Sequence, residues 1–218
     1  MVVGGVITYF QARKASAEAL ERDSKERLDK SKAAAFRVIV KLSKIISSLG
    51  AVHFHIERCV AKALEQKHQG PLWTALEPLA GTSKRVDFEA DELAVFVPMN
   101  EYDALNALLS MDDKHNVVME TMQTYFEKRS EFGSIFGAKM DGRRGVTEMN
   151  EEEHNRAGPR IAELTDLAEA LRREAKESFD EASALVAQVG PKFRTYFGDP
   201  AFPLLAMAKV DVDALTKG

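Results

Sequence analysis

The sequence has few of the residues that characterise disulfide-rich or turn-rich proteins. Its single cysteine, Cys59, excludes an intramolecular disulfide, so nothing in the chain requires an oxidising compartment. Only 7 prolines and 13 glycines occur among 218 residues, and aromatic residues make up 8%. These low counts argue against a β fold with many turns. No apolar run approaches the roughly 20 residues that a membrane-spanning helix needs.

Neither sign of charge dominates. The 30 basic and 34 acidic residues give a formal net charge of −4, whereas domains that bind nucleic acid are usually strongly basic. Hydrophobic residues at 45% and charged residues at 29% exclude wholesale disorder. The sequence also lacks a P-loop, a dinucleotide fingerprint, a nucleophile elbow and a paired-cysteine zinc motif. We therefore expect a folded domain with no nucleic-acid partner and no cofactor.

Helix-forming residues with helical periodicity fill much of the chain. Two apolar stripes repeat at alternating spacings of three and four, as in a helix packed in a bundle or coiled coil. The first contains Ala35, Ile39, Leu42, Ile46, Leu49, His53, Ile56, Val60 and Ala63. The second contains Ile161, Leu164, Ala168, Leu171, Ala175, Ser178, Ala182, Leu185 and Val189.

These stripes predict an all-α fold, an antiparallel helical bundle with a long, extended N-terminal helix. We expect its main helices over Ala35–Ala63, Glu101–Phe132 and Arg160–Val189, with short helices in the middle connection. Gly50 does not change the phase of the first stripe, so we interpret it as an interior helical glycine; the alternative is a turn after Leu49. Gly190-Pro191 is predicted to end the third helix because proline breaks a helix interior.

The first ten residues, MVVGGVITYF, are uncharged. Ten helical residues rise about 15 Å, half of a hydrocarbon core of about 30 Å, so a membrane anchor would require further apolar residues upstream. Tyr9 and Phe10 followed by Arg13 and Lys14 resemble the aromatic belt and basic flank of a membrane helix. We interpret residues 1–10 as an apolar foot or the remnant of an anchor. Alternatives are a short interfacial foot and the packed end of a soluble helix.

Composition divides the remainder into three parts. Residues 11–34 are predicted to form a charged helical stalk, since 12 charged residues lie between Arg13 and Lys32 and few apolar residues interrupt them. Residues 35–198 are expected to form the bundle domain, and residues 199–218 a loosely ordered tail. If residues 1–10 belong to an anchor, the basic flank predicts a membrane-associated protein with its folded domain in the cytoplasm; the alternative location is soluble and cytoplasmic.

The strongest chemical candidate is a metal site. Two acid–histidine pairs share a spacing of three residues: Asp112 with His115 and Glu151 with His154. Residues i and i+3 lie on one helix face, and di-iron bundles use a Glu-x-x-His motif on two helices with carboxylates from two others. His53, His55 and Glu57 on the first helix would complete such a site.

The sequence supports two classes of function. The missing catalytic motifs, the apolar foot and the charged stalk favour a non-enzymatic interaction or scaffold module held at a membrane through its N-terminal helix. Such a module would bind a protein partner or a second copy of itself. The alternative is a soluble helical-bundle enzyme or sensor that uses the acid–histidine metal site. No catalytic or cofactor-binding residue is assigned.

Overall fold

A computed structural model describes residues 3–79, 85–135, 139–141, 144–146 and 149–205, without the side chains of 3–12, 139–141 and 144–146. The helices are α1 (Val3–Glu65), α2 (Leu72–Ala75), α3 (Ala90–Leu93), a 3-10 turn (Ala94–Phe96), α4 (Tyr102–Ile135) and α5 (Glu151–Phe197). Strands β1 (Lys139–Asp141) and β2 (Arg144–Val146) form a small antiparallel hairpin between α4 and α5. The predicted all-α bundle is confirmed.

Helix α5 lies at the centre of the bundle and packs against both α1 and α4, which meet each other over fewer residues. Ion pairs between the helices show their relative directions. Lys32–Asp199 and Glu57–Arg172 link α1 to the α5 region. Glu101–Lys192 and Glu131–Arg160 link α4 to α5. Helix α5 is therefore antiparallel to both partners. Because α1 and α4 run in the same direction, the segment between them (residues 66–101, the return segment) must travel back along the bundle.

A buried carboxylate fastens the return segment to α1. Glu92 is 1% exposed, and its Oε2 accepts a hydrogen bond from Lys41 Nζ at 2.6 Å. The same oxygen accepts from the backbone N–H of Glu89 at 2.9 Å, in a capping box that begins α3. Glu89 is thus the N-cap residue of α3. Because a buried charge is costly unless it is paired and hydrogen-bonded, these contacts hold α3 against α1.

The buried stripe of α1 differs from the predicted one at every second position. The described helix buries Ala35, Val38, Leu42, Ile45, Leu49, Val52, Ile56, Cys59 and Ala63 along one line, with Ile39 beside it. Ile46, His53 and Val60 are only half-buried. Helix α1 has α5 on one side and the return segment on the other, so the centre of its buried face is turned toward the return segment. Cys59 consequently lies within the stripe.

Gly50 is an interior helical glycine, as predicted. A Cβ atom at this position would lie 3.1 Å from the ring of Phe179 on α5. That distance is shorter than nearly all ordinary carbon contacts, so the missing side chain lets the Phe179 ring approach the α1 backbone. A glycine in a helix interior destabilises the helix by about 1 kcal/mol relative to alanine. At Gly50 this cost accompanies a close contact between α1 and α5.

The α5 stripe is confirmed, because all its predicted members are buried except Ile161, which is half-buried. The prediction that Gly190-Pro191 ends the helix is wrong. Helix α5 continues through Pro191 to Phe197 and ends at Gly198 in the left-handed conformation. Phe193 is fully buried against Phe96 and Phe202, and this packing stabilises the last turns beyond the proline.

Helix α4 matches its predicted span closely. His115 and Tyr125 are fully buried in it together with Leu108 and Met122, whereas Leu109 is exposed. Asn100 lies just before the start of α4. It has a φ of 56° and ends the preceding turn, with the backbone N–H of Glu101 donating to Phe96 O, the pattern of a Schellman motif.

The two ends of the chain are described in part. The backbone of α1 begins at Val3, and the side chains of the apolar foot lie outside the described residues. Among the helices that the structure describes, none is long and apolar enough to cross a membrane. At the other end, Phe202 of the predicted tail packs against Phe193 and Phe197, and residues 206–218 lie outside the description.

Truncation of core leucines tests the packing of the bundle. Leu49 on α1 is 0% exposed and Leu171 on α5 is 2% exposed, so Leu49→Ala and Leu171→Ala should each lower the free energy of unfolding by about 2–5 kcal/mol. Leu20→Ala is the matched control, because Leu20 is 69% exposed on the same helix as Leu49. Urea unfolding provides the measurement. A loss below about 0.5 kcal/mol at both core positions would contradict the assigned packing.

Candidate functional site

The two predicted acid–histidine pairs do not lie together. Asp112 and His115 are in the middle of α4, where the neighbouring Lys114 pairs with Glu181 of α5. Glu151 and His154 are exposed in the first turns of α5. The helical rise between residues 154 and 181 is about 40 Å. The two pairs therefore cannot bind one metal ion, and across the described ranges no group of three or more His, Cys, Asp or Glu side chains is arranged to hold one.

His115 is instead a core residue of α4. It is 0% exposed, its Nδ1 lies 3.2 Å from Asn116 Oδ1, and its Nε2 is enclosed without a hydrogen-bond partner. Burial lowers the pKa of His115 below its ordinary value. Asn116 Nδ2 donates to Val86 O at 3.3 Å, and Asp112 Oδ2 accepts from the backbone N–H of Phe88 at 3.2 Å. The pair Asp112 and His115, predicted as metal ligands, therefore lies among polar contacts that attach the return segment to α4.

Glu151 and His154 belong to the start of α5. The helix begins with a capping box in which Asn150 Oδ1 accepts from the Glu153 backbone N–H at 2.9 Å and Glu153 Oε2 accepts from the Asn150 N–H. Both residues thus satisfy backbone N–H groups that the start of a helix leaves without partners. Glu151, in the first turn, is favourable to the positive end of the helix dipole.

Cys59 takes part in a small polar cluster at the end of α1. Its Sγ accepts a hydrogen bond from the Glu77 backbone N–H at 3.5 Å and lies 3.7 Å from His55 Nε2. Burial acts to raise the pKa of Cys59, but the hydrogen bonds from His55 and Glu77 outweigh it and leave that pKa below its ordinary value. Cys59 is only 5% exposed. Its contact with Glu77 joins α1 to the residues after α2.

An open cleft lies where α1, α2 and α5 meet. It has a volume of about 660 Å³ and is lined by His53, Glu57, Leu72, Glu169, Arg172, Arg173 and Lys176; we call it the α1–α5 cleft. Arg172 Nε and Nη2 donate to the two carboxylate oxygens of Glu57 at 2.8 and 3.0 Å. The hydrogen bond from Arg172 lowers the pKa of Glu57, so this bidentate pair is ionised at neutral pH and joins two walls of the cleft.

His53 lies at the edge of this cleft and makes no hydrogen bond through Nδ1, which is enclosed. The imidazole stacks on Phe179, with ring centroids 5.7 Å apart, and contacts Phe54. Burial lowers the pKa of His53, with Glu57 and Asp180 acting in the opposite direction.

Sequence reasoning missed the basic side of the cleft. Arg172 and Lys176 are four residues apart, beside the predicted stripe residues Leu171 and Ala175. That spacing places them together on a flank of α5. Which flank faces α1 depends on how the helices are arranged, and the spacing carries no such information.

The chain matches no known protein family, and neither a curated protein nor a solved structure is similar to it.

Burial of His115 predicts an acid-dependent loss of stability. Its pKa is lowered in the folded state, so below its ordinary value of 6.5 the unfolded chain binds the proton more readily. Stability therefore falls as pH decreases through that value, by at most about 1.4 kcal/mol per pH unit for one proton. His115→Gln should reduce the stability difference between pH 7.5 and pH 5.5, measured by urea unfolding.

The matched control is His154→Gln, which removes an exposed histidine and should leave the difference unchanged. His115→Leu provides a second variant without a titrating group, in case glutamine is poorly accommodated. Equal pH dependence in wild type and in both folded His115 variants would show that His115 does not contribute.

Proposed function

We propose that the protein is a non-enzymatic interaction module that presents its helical bundle on a helical stalk at the cytoplasmic face of a membrane. The observation that carries the proposal is the first part of α1. Every described side chain from residue 13 to residue 30 is exposed, although these residues continue the helix that packs in the bundle. These 18 residues rise about 27 Å at 1.5 Å per residue, shorter than the predicted stalk of residues 11–34, because Lys32 pairs with Asp199 and Ala34 is buried.

The stalk needs little stabilisation of its own. The packed part of α1 supplies the helical nucleus, so extending the helix avoids the cost of nucleation. Ion pairs four residues apart add to this, with Lys30 Nζ lying 2.7 Å from Glu26 Oε1 and Lys14 Nζ lying 4.0 Å from Glu18 Oε1. Each exposed pair contributes only about 0.2–0.5 kcal/mol. A helix without a buried face contributes little to the stability of the bundle. This supports a role of the stalk in holding the bundle at a distance from the membrane.

Tethering can be tested by fractionation of the native gene product. If residues 1–10 belong to an anchor, the native protein should sediment with membranes and resist extraction with alkaline carbonate, because apolar residues in lipid are not released by removing surface charges. A version that begins at Ala15 is the control and should be found in the soluble fraction. A native protein found entirely in the soluble fraction would contradict the tether.

The stalk can be tested separately from the membrane by deleting residues 15–28. This deletion removes two heptads and therefore nearly keeps the helix phase. Small-angle X-ray scattering should show a maximum dimension shorter by about 21 Å, while the free energy of unfolding of the bundle stays unchanged. An unchanged dimension would show that the segment folds back onto the bundle.

The distance between the two acid–histidine pairs argues against one shared metal site, and so against the metal-dependent enzyme or sensor alternative. Metal analysis of protein purified without a histidine tag provides the check. Stoichiometric iron, manganese or zinc that disappears in His115→Ala would contradict a simple interaction module and favour the sensor or enzyme alternative.

A further inference from the structure

We propose that the α1–α5 cleft binds a small organic phosphate whose body carries hydroxyl groups, which is a function additional to the proposed tethering. The cleft volume of about 660 Å³ is within the range of about 300–1,000 Å³ typical of small-molecule sites. Its walls come from three elements, α1, α2 and α5, and combine cationic, acidic and apolar groups.

Arg173 and Lys176 are the groups that would bind the phosphate. Their present partners are Glu174 and Asp180, which are neighbours on the same helix, and all four side chains are more than 40% exposed. Such exposed pairs contribute at most about 1 kcal/mol. One phosphate dianion that accepts from both cations would compete with these two separate weak pairs. The cleft therefore offers two cations that are not committed to the fold.

Arg172 gives the cleft a fixed guanidinium. Its Nε and Nη2 hold Glu57 on the opposite wall, so the group is oriented before a ligand enters, while Nη1 makes no contact with that carboxylate. Preorganised groups lower the cost of binding because fewer side chains must be immobilised. Arg172 would thus contribute one further donor without giving up its link between α1 and α5.

The remaining groups suit the body of a hydroxylated ligand. Glu169 forms no ion pair within the described part of the chain and is exposed, so it can accept hydrogen bonds from hydroxyl groups. His53 Nδ1 is enclosed without a partner. Placing the proton of the neutral ring on Nε2 avoids a buried N–H without an acceptor, and this leaves Nε2 to donate. Leu72 supplies apolar contact for the carbon skeleton.

The test is an NMR titration of the full chain with glucose 6-phosphate, read from the imidazole signals of His53. We expect saturable shifts and a dissociation constant at least about tenfold lower than for inorganic phosphate, since the hydroxyl contacts add binding energy. Glucose alone should produce no saturable shift. An absent His53 response to glucose 6-phosphate, or equal affinity for inorganic phosphate, would overturn the proposal.

Matched variants separate specific binding from general ionic attraction. Arg173→Gln combined with Lys176→Gln should weaken binding about tenfold or more, because two charge-assisted hydrogen bonds are lost. Lys25→Gln combined with Arg27→Gln removes the same charge from exposed stalk positions and should leave the affinity unchanged. All four side chains are outside the core, and thermal unfolding by circular dichroism verifies the fold. Equal weakening by both double variants would overturn the specific site.

Discussion

The packing of α5 between α1 and α4 is the interaction on which the rest of the fold depends. Helix α5 buries Ala168, Ala175 and Ala182 completely, and these small side chains let a neighbouring helix approach closely. Larger residues such as Leu164 and Leu171 alternate with them and fill the space between the helices. Protein interiors are packed to near-crystalline density, so this alternation determines where α1 and α4 can lie.

The antiparallel placement of α5 against both neighbours has a topological consequence. Helices α1 and α4 must run in the same direction, and the return segment must cover the length of the bundle between them. The described part of that segment forms short helices and a 3-10 turn, so it has no long apolar stripe. Single apolar side chains such as Phe96 enter the core. Polar contacts add to this packing: Glu92 with Lys41 at one place, and Asn116 with Val86 at another. Because such groups are buried, losing a partner would cost more than the hydrogen bond itself contributes.

The features proposed to carry function lie in different parts of the molecule. The stalk extends from one end of α1 and makes few demands on the bundle, because its described side chains face solvent. The α1–α5 cleft lies further along the same helix, where α2 also contributes to its wall. Glu57 and Arg172 join the walls of this cleft. A ligand there would act on the contact between α5 and α1, and α1 is the helix whose first part forms the stalk.

The amino-acid sequence was enough to locate the three main helices, the buried stripe of α5 and the interior position of Gly50, although not the C-terminal end of α5. These features depend on residues within a few turns of each other, so local spacing contains the necessary information. The packing of the helices was needed to show that Val52 and Cys59, rather than His53 and Val60, lie on the buried line of α1. It also decided that His115 is a core residue far from His154, and that Arg172 meets Glu57. Each of these outcomes depends on which neighbour a helix face meets, and apolar periodicity defines a face without identifying its partner.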